Sequence, residues 1–188
     1  MKWYEKYLSV YGKPYADVSA EVMDGIRNRL RTLQSDEPLV SVVVIAYNEE
    51  KHLPACLWSL SESVCEYPME IIGVNNDSAD RTADVFEASG IPYHTELQHS
   101  CGYARRCGLQ YAQGKYYICI DSDTMYPPGY VQAMADALQR PGIVAVSSLW
   151  SYMPDEGHPW LGLKIYEFMR DTHLWMQSFK RPELSVRG

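Results

Sequence analysis

A chain of 188 residues with 46% hydrophobic side chains can bury one substantial core and is too apolar for wholesale disorder. Its net charge of −7 argues against a general nucleic-acid binder, because a phosphate backbone selects Lys and Arg surfaces. The longest apolar stretch, Leu39–Tyr47, is far too short to span a bilayer, and Met1–Glu5 opens without the apolar run of a secretory signal. Five cysteines without a repeated spacing read as reduced thiols in a cytoplasmic protein rather than a disulfide framework.

Tyr and Trp crowd residues 3–15, and Pro14 separates that segment from an amphipathic helix predicted over 15–34, with Val18, Val22, Ile26, Leu30 and Leu33 on one face. Residues 1–36 are therefore expected to form a helical appendage, closed by Ser35-Asp36-Glu37-Pro38. Leu39–Ala46 is a continuous, largely β-branched run, the mark of a strand buried on both faces. The pattern then alternates: helix Glu49–Ser63, with Pro54 tolerable only near its first turn, strand Glu70–Val74, helix Asp80–Ser89, strand Ile91–Glu96 and helix Gly102–Ala112. Strand Tyr116–Ile120, helix Tyr130–Leu138 and strand Ile143–Leu149 complete it. Such alternation predicts an α/β fold, a mostly parallel sheet with helices on both faces, over residues 37–150. Residues 151–188 are expected to be helical from Trp160 to Phe179. Their large apolar side chains suit core packing or an exposed interface for a partner, a membrane surface or a lipid-linked acceptor.

Ligands of an open parallel sheet bind outside the carboxyl ends of its strands. Three polar loops fall at that edge: Ala46–Glu50, Asn75–Asp80 and Asp121-Ser122-Asp123. In the last, side chains two apart on an extended chain point the same way, so Asp121 and Asp123 can face one cleft. Two carboxylates about 4 Å apart repel by roughly 4 kcal/mol at an effective dielectric near 20, and such a pair shares a proton or holds a cation. An oxygen-only set suits Mg2+ or Mn2+, with a substrate's phosphates completing the shell. The competing reading is an Asx-type turn in which Asp123 caps the next segment. Asp80 or Ser78 likewise suits a helix cap, Asp80 above all. No G-x-G-x-x-G and no P-loop comes after the first strand, so phosphates would need a cation. His94, His99, Cys101 and Cys107 match no common zinc spacing.

Together, Val42–Glu50, Ile72–Thr82, Ala104-Arg105-Arg106-Cys107-Gly108 and Asp121-Ser122-Asp123-Thr124 resemble, in order and spacing, family-2 glycosyltransferases over about residues 38–150. The resemblance implies a three-layer, Rossmann-like GT-A fold. It implies a metal-dependent inverting transfer from a nucleoside-diphosphate sugar to a saccharide or lipid-linked acceptor, with Mn2+ or Mg2+ as cofactor. By the same resemblance Ala46, Tyr47 and Glu49 line the nucleoside pocket, and Asn76, with Asn75 beside it, reads the base or its neighbourhood. Asp121, with Ser122, lies near ribose and metal, Asp123 ligates the metal, and Arg105 lies close to the nucleotide. A helix-surface salt bridge is the other reading of Arg105. The chain departs from the family at Asn75, where Asp is usual, and at Arg106, where Asn is. Its general base, a carboxylate that deprotonates the acceptor, is expected beyond residue 188, with Asp155 and Glu156 as weak stand-ins. The alternative is a nucleotide-sugar-binding module that does not transfer. A nucleotidyltransferase would need a glycine-rich basic loop after the first strand, and Ala46–Glu50 lacks one.

Overall fold

The structure, a computed structural model, describes residues 2–154 and 157–180. Asp155 and Glu156, named above as stand-ins for a general base, lie outside the described residues, as does everything after Lys180.

The sheet has four strands: β1 (Val40–Ala46), β2 (Met69–Asn75), β3 (Tyr93–Thr95) and β4 (Tyr116–Asp121), in the order β3-β2-β1-β4. All neighbours are parallel. β1 is central, pairing Val40 with Met69 on one side and with Tyr116 on the other. That position explains its composition, since all seven residues are buried and each face meets a different layer. Val40, Val42, Val44 and Ala46 pack with α1 (Ala20–Leu33), α2 (Leu53–Ser61) and α3 (Thr82–Ser89), through Ile26, Leu30, Leu57, Leu60 and Phe86. Val43 and Ile45, with Ile72 and Val74 of β2, pack under Ala104 and Cys107 of α4 (Cys101–Tyr111). The approach of α4 depends on Gly108, where a Cβ would lie 2.3 Å from Val43 Cγ1.

The helices are shorter than the periodicity suggests, for local reasons. Ser19 accepts a bond from Val22 N and starts α1, leaving Tyr15–Asp17 as a short 3-10 turn. Residues 50–52 form a turn ahead of α2: the Glu49 and Glu50 amides donate to Thr82 Oγ1 and Asp80 Oδ2, and the His52 amide donates to the Glu49 carbonyl. Gly90, at φ 72°, ends α3 in the left-handed conformation. Helix α5 (Tyr130–Leu138) lies where expected.

Packing divides the chain into two compact units, Met1–Asp136 and Ala137–Gly188. The N-terminal segment, expected as an appendage ending at residue 36, puts Met23, Ile26 and Leu30 into the same core cluster as β1. A second 3-10 turn, Glu5–Ser9, buries Tyr7 against Val10 and Ala55. In the second unit the expected strand Ile143–Leu149 is absent: these residues carry no regular structure, and Val144 is 95% exposed. β-branched composition favours a strand only where a ladder partner exists, and among the described residues no strand pairs with this segment. Helix α6 (Trp160–Lys180) is present. Its Trp160, Phe168 and Trp175 are exposed, while the Arg170 guanidinium lies 4.5 Å over Trp150 and the Tyr152 N–H donates to Glu167. Among the described residues no helix is long and apolar enough to cross a membrane.

Candidate functional site

Three loops converge at the carboxyl edge of the sheet, and two of them brace each other. The Asn48 amide donates to Ser78 Oγ (2.9 Å), Glu49 N to Thr82 Oγ1 (2.8 Å) and Glu50 N to Asp80 Oδ2 (3.0 Å). The Ala79 amide returns a bond to Asn48 Oδ1 at 2.8 Å. Asp80 therefore does more than cap: Oδ1 takes Thr82 N at the start of α3, while Oδ2 fixes the neighbouring loop. Asn48 sits at φ 55°, a left-handed conformation that Asn tolerates better than most residues. The result leaves Tyr47 half exposed at the rim.

Asn75 and Asn76 are both buried. Asn75 Oδ1 accepts from Ser78 N at 3.1 Å, and the residue does not line the cleft. Asn76 does line it, but both its amide protons are spent on the Glu96 and Gln98 carbonyls (2.9 and 2.8 Å), and its oxygen accepts from Ser100 N (3.0 Å). This geometry makes Asn76 a clamp on the loop of residues 96–100. Both side-chain donors are engaged there, while the residue still lines the cleft.

At the end of β4 the alternation is as expected: Asp121 and Asp123 are exposed, Ser122 is buried, and all three line the cleft. The Asp121 carboxylate meets Arg105 Nη2 at 3.2 Å, and its carbonyl accepts from Tyr126 OH at 3.0 Å. Arg105 is thus in an ion pair at the site, and it does not itself line the cleft. Among the described residues the Asp123 carboxylate accepts only the Thr124 hydroxyl (3.1 Å) and no backbone N–H, so nothing in its bonding is that of a turn cap. The Asp123 carbonyl accepts from Tyr11 OH at 3.1 Å.

The cleft between these loops holds about 390 Å3, bounded by Ala46, Tyr47 and Glu49 on one side, His99, Ser100 and Cys101 on another and the aspartates on the third. Burial pushes the Glu49 carboxyl above its ordinary value, opposed by its 2.7 Å bond to His52 Nδ1. His99 pairs with Asp77 at 3.0 Å and meets the Tyr47 ring edge-on. His94 stacks on Tyr111 instead, and among the described residues no group of three His, Cys, Asp or Glu could hold a metal. A cation here would therefore be shared: exposed carboxylates on one wall supply oxygens, and the open side of the cleft leaves room for a ligand's own. That donor set fits a hard divalent ion.

In the sequence His99 and Cys101 draw attention only through a zinc spacing that matches no common pattern, and Ser100 carries no motif. The signal was topological, because the loop preceding α4 comes directly after a parallel strand and must reach the same edge. Tyr11, 112 positions before Asp123, carried no signal at all.

Comparison with known proteins adds a shared pattern to this geometry. The model of the family described as Glycosyl transferase family 2 matches residues 41–185, well over half of the chain. The chain belongs to that family. This family-2 glycosyltransferase chain is 34% identical over 105 residues to the putative glycosyltransferase EpsH of Bacillus subtilis, covering 53% of the chain and 30% of EpsH. It spans about a third of the length of the curated relatives it matches. Its fold is similar to that of glucosyl-3-phosphoglycerate synthase from Mycobacterium tuberculosis, with a TM-score of 0.57 at 21% identity, covering 94% of the chain and 60% of the synthase. The same synthase in complex with Mn2+ and UDP-glucose matches with a TM-score of 0.50 at 22% identity, over 64% of the chain and 44% of the synthase. The mannosyltransferase PcManGT from Pyrobaculum calidifontis, in complex with GDP-Man and Mn2+, matches with a TM-score of 0.51 at 16% identity, over 76% and 46% of the two chains. These neighbours share the GT-A fold.

Proposed function

We propose that this chain forms the donor-binding half of a metal-dependent, inverting glycosyltransferase that takes sugar from a nucleoside diphosphate and gives it to a saccharide or lipid-linked acceptor. The observation that carries this reading is the pair of exposed aspartates lining one cleft together with Ala46, Tyr47 and Glu49. Fold neighbours bound to Mn2+ with UDP-glucose or GDP-Man support it. Tyr47 and Glu49 would flank the nucleoside. Asn76 would hold the loop of residues 96–100 as the third wall. Asp123, with no cationic partner among the described residues, would be the principal ligand of Mn2+ or Mg2+. Asp121, part-neutralised by Arg105, would be the weaker one. When bound, the cation supplies positive charge against the leaving diphosphate. Arg105 would keep the Asp121 carboxylate oriented without adding a second uncompensated charge to the wall.

Calorimetric titration of UDP, GDP and their sugars, with and without Mn2+, tests the assignment. Nucleotide binding that needs Mn2+ in the wild type and loses that dependence in Asp123→Ala is the expected result. Equal binding without metal, or binding untouched by the substitution, would overturn it.

A further inference from the structure

Two adjacent residues of the N-terminal segment touch the two loops that follow β1 and β4. Tyr11 OH donates to the Asp123 carbonyl at 3.1 Å, and its ring tilts over His52, the partner of Glu49, with centroids 4.8 Å apart. Next to it the Gly12 amide donates to the Lys51 carbonyl at 2.9 Å, in a left-handed turn at φ 76°. The segment is anchored on either side of these contacts. Upstream, Tyr7 is fully buried and donates to Glu62 (2.8 Å), which also takes Trp58 Nε1 and pairs with Lys6. Downstream, α1 lies in the core of the domain. A chain fastened at both ends holds Tyr11 in place at little further entropic cost.

The two aspartates are held alike. Each carbonyl accepts one tyrosine hydroxyl, Tyr126 for Asp121 and Tyr11 for Asp123. Such a bond fixes the peptide plane, and with it the direction in which the Asp123 carboxylate leaves the backbone. Tyr126 comes from the next loop along the chain. Tyr11 comes from outside residues 41–185, the part shared with the family.

We propose that Tyr11 is a positioning residue for Asp123, and that residues 2–18 form a strap setting the spacing between the loop of residues 47–52 and the aspartate loop. Its consequence for the donor rests on the metal-nucleotide reading above. The strap confers a preformed cation site on a wall that otherwise ends in an exposed loop.

Tyr11→Phe in the full chain is the test, because it keeps the ring over His52 and removes only the hydroxyl. Three quantities are read: backbone hydrogen exchange at residues 122–125 without ligand, the Mn2+ concentration that half-saturates UDP or GDP binding, and Tm. Loss of one hydrogen bond predicts faster exchange and a half-saturating Mn2+ raised about three- to tenfold. Nucleoside binding without metal stays as in wild type, and Tm falls by no more than the few degrees that one hydrogen bond is worth. Unchanged exchange overturns the proposal, as does unchanged Mn2+ dependence. A parallel fall in Tm and metal-free binding also overturns it, by making Tyr11 a packing residue. A wild type that binds neither nucleotide with Mn2+ refutes the donor reading instead, and the exchange arm then decides the strap alone. Gly12→Ala, which meets no atom within 4 Å and strains only the backbone, is expected to raise the Mn2+ requirement in the same direction.

Discussion

Asn76→Asp is a sharp test of the clamp, because it changes one atom and reverses the bonding. The wild-type amide gives two N–H bonds to the Glu96 and Gln98 carbonyls and takes one from Ser100 N, at 4% exposure. An ionised carboxyl keeps the Ser100 bond, loses both donors and faces two carbonyl oxygens. Each lost bond is worth about 1 kcal/mol, and an unsatisfied buried group adds about 1–3 kcal/mol. Gln98 is exposed, so water repays part of this, and the expected loss is about 2–4 kcal/mol at pH 8. Burial and the two carbonyls raise the folded pKa of the introduced carboxyl above its unfolded value of about 3.9. The folded state then holds the proton more tightly, so stability is greatest at low pH and is lost as pH rises through the folded pKa. Protonation also restores one donor. Urea unfolding of both proteins at pH 5 and pH 8 measures the effect. A loss below about 0.5 kcal/mol, or an equal loss at both pH values, would refute the clamp.

The same geometry sets three further outcomes. Asp123→Asn should weaken Mn2+-supported UDP or GDP binding by more than about a hundredfold, beyond the 10–100-fold usual for losing a supporting residue, and leave metal-free binding as in wild type by calorimetry. Gly108→Ala puts a methyl 2.3 Å from Val43 Cγ1, so chemical denaturation should show a loss of about 1–3 kcal/mol from overpacking. For Glu49, burial raises the carboxyl's folded pKa, so its ionisation opposes folding. The stability of Glu49→Gln relative to wild type should therefore improve as pH rises from about 4.5 through that raised value, and paired unfolding curves across the range should show it.

The sequence by itself determined the layers of the first unit and the edge where function sits. A run such as Val40–Ala46 suits only a strand covered on both faces. Strand–helix alternation made the sheet parallel, and a parallel sheet sends every strand-to-helix loop to one edge. That logic brought Tyr47, Glu49, Asp121 and Asp123 to one cleft. It also proposed a strand at Ile143–Leu149, where β-branched composition matched but the described residues form no ladder with it. What only the tertiary structure decided was the partner of each polar side chain. Asn76 commits its amide to the loop of residues 96–100, Arg105 meets Asp121, and Tyr11 reaches Asp123 from 112 positions away. Local periodicity and capping depend on neighbours in the chain. A hydrogen bond across 112 positions depends on where two separate loops end in space, and no local pattern records that distance.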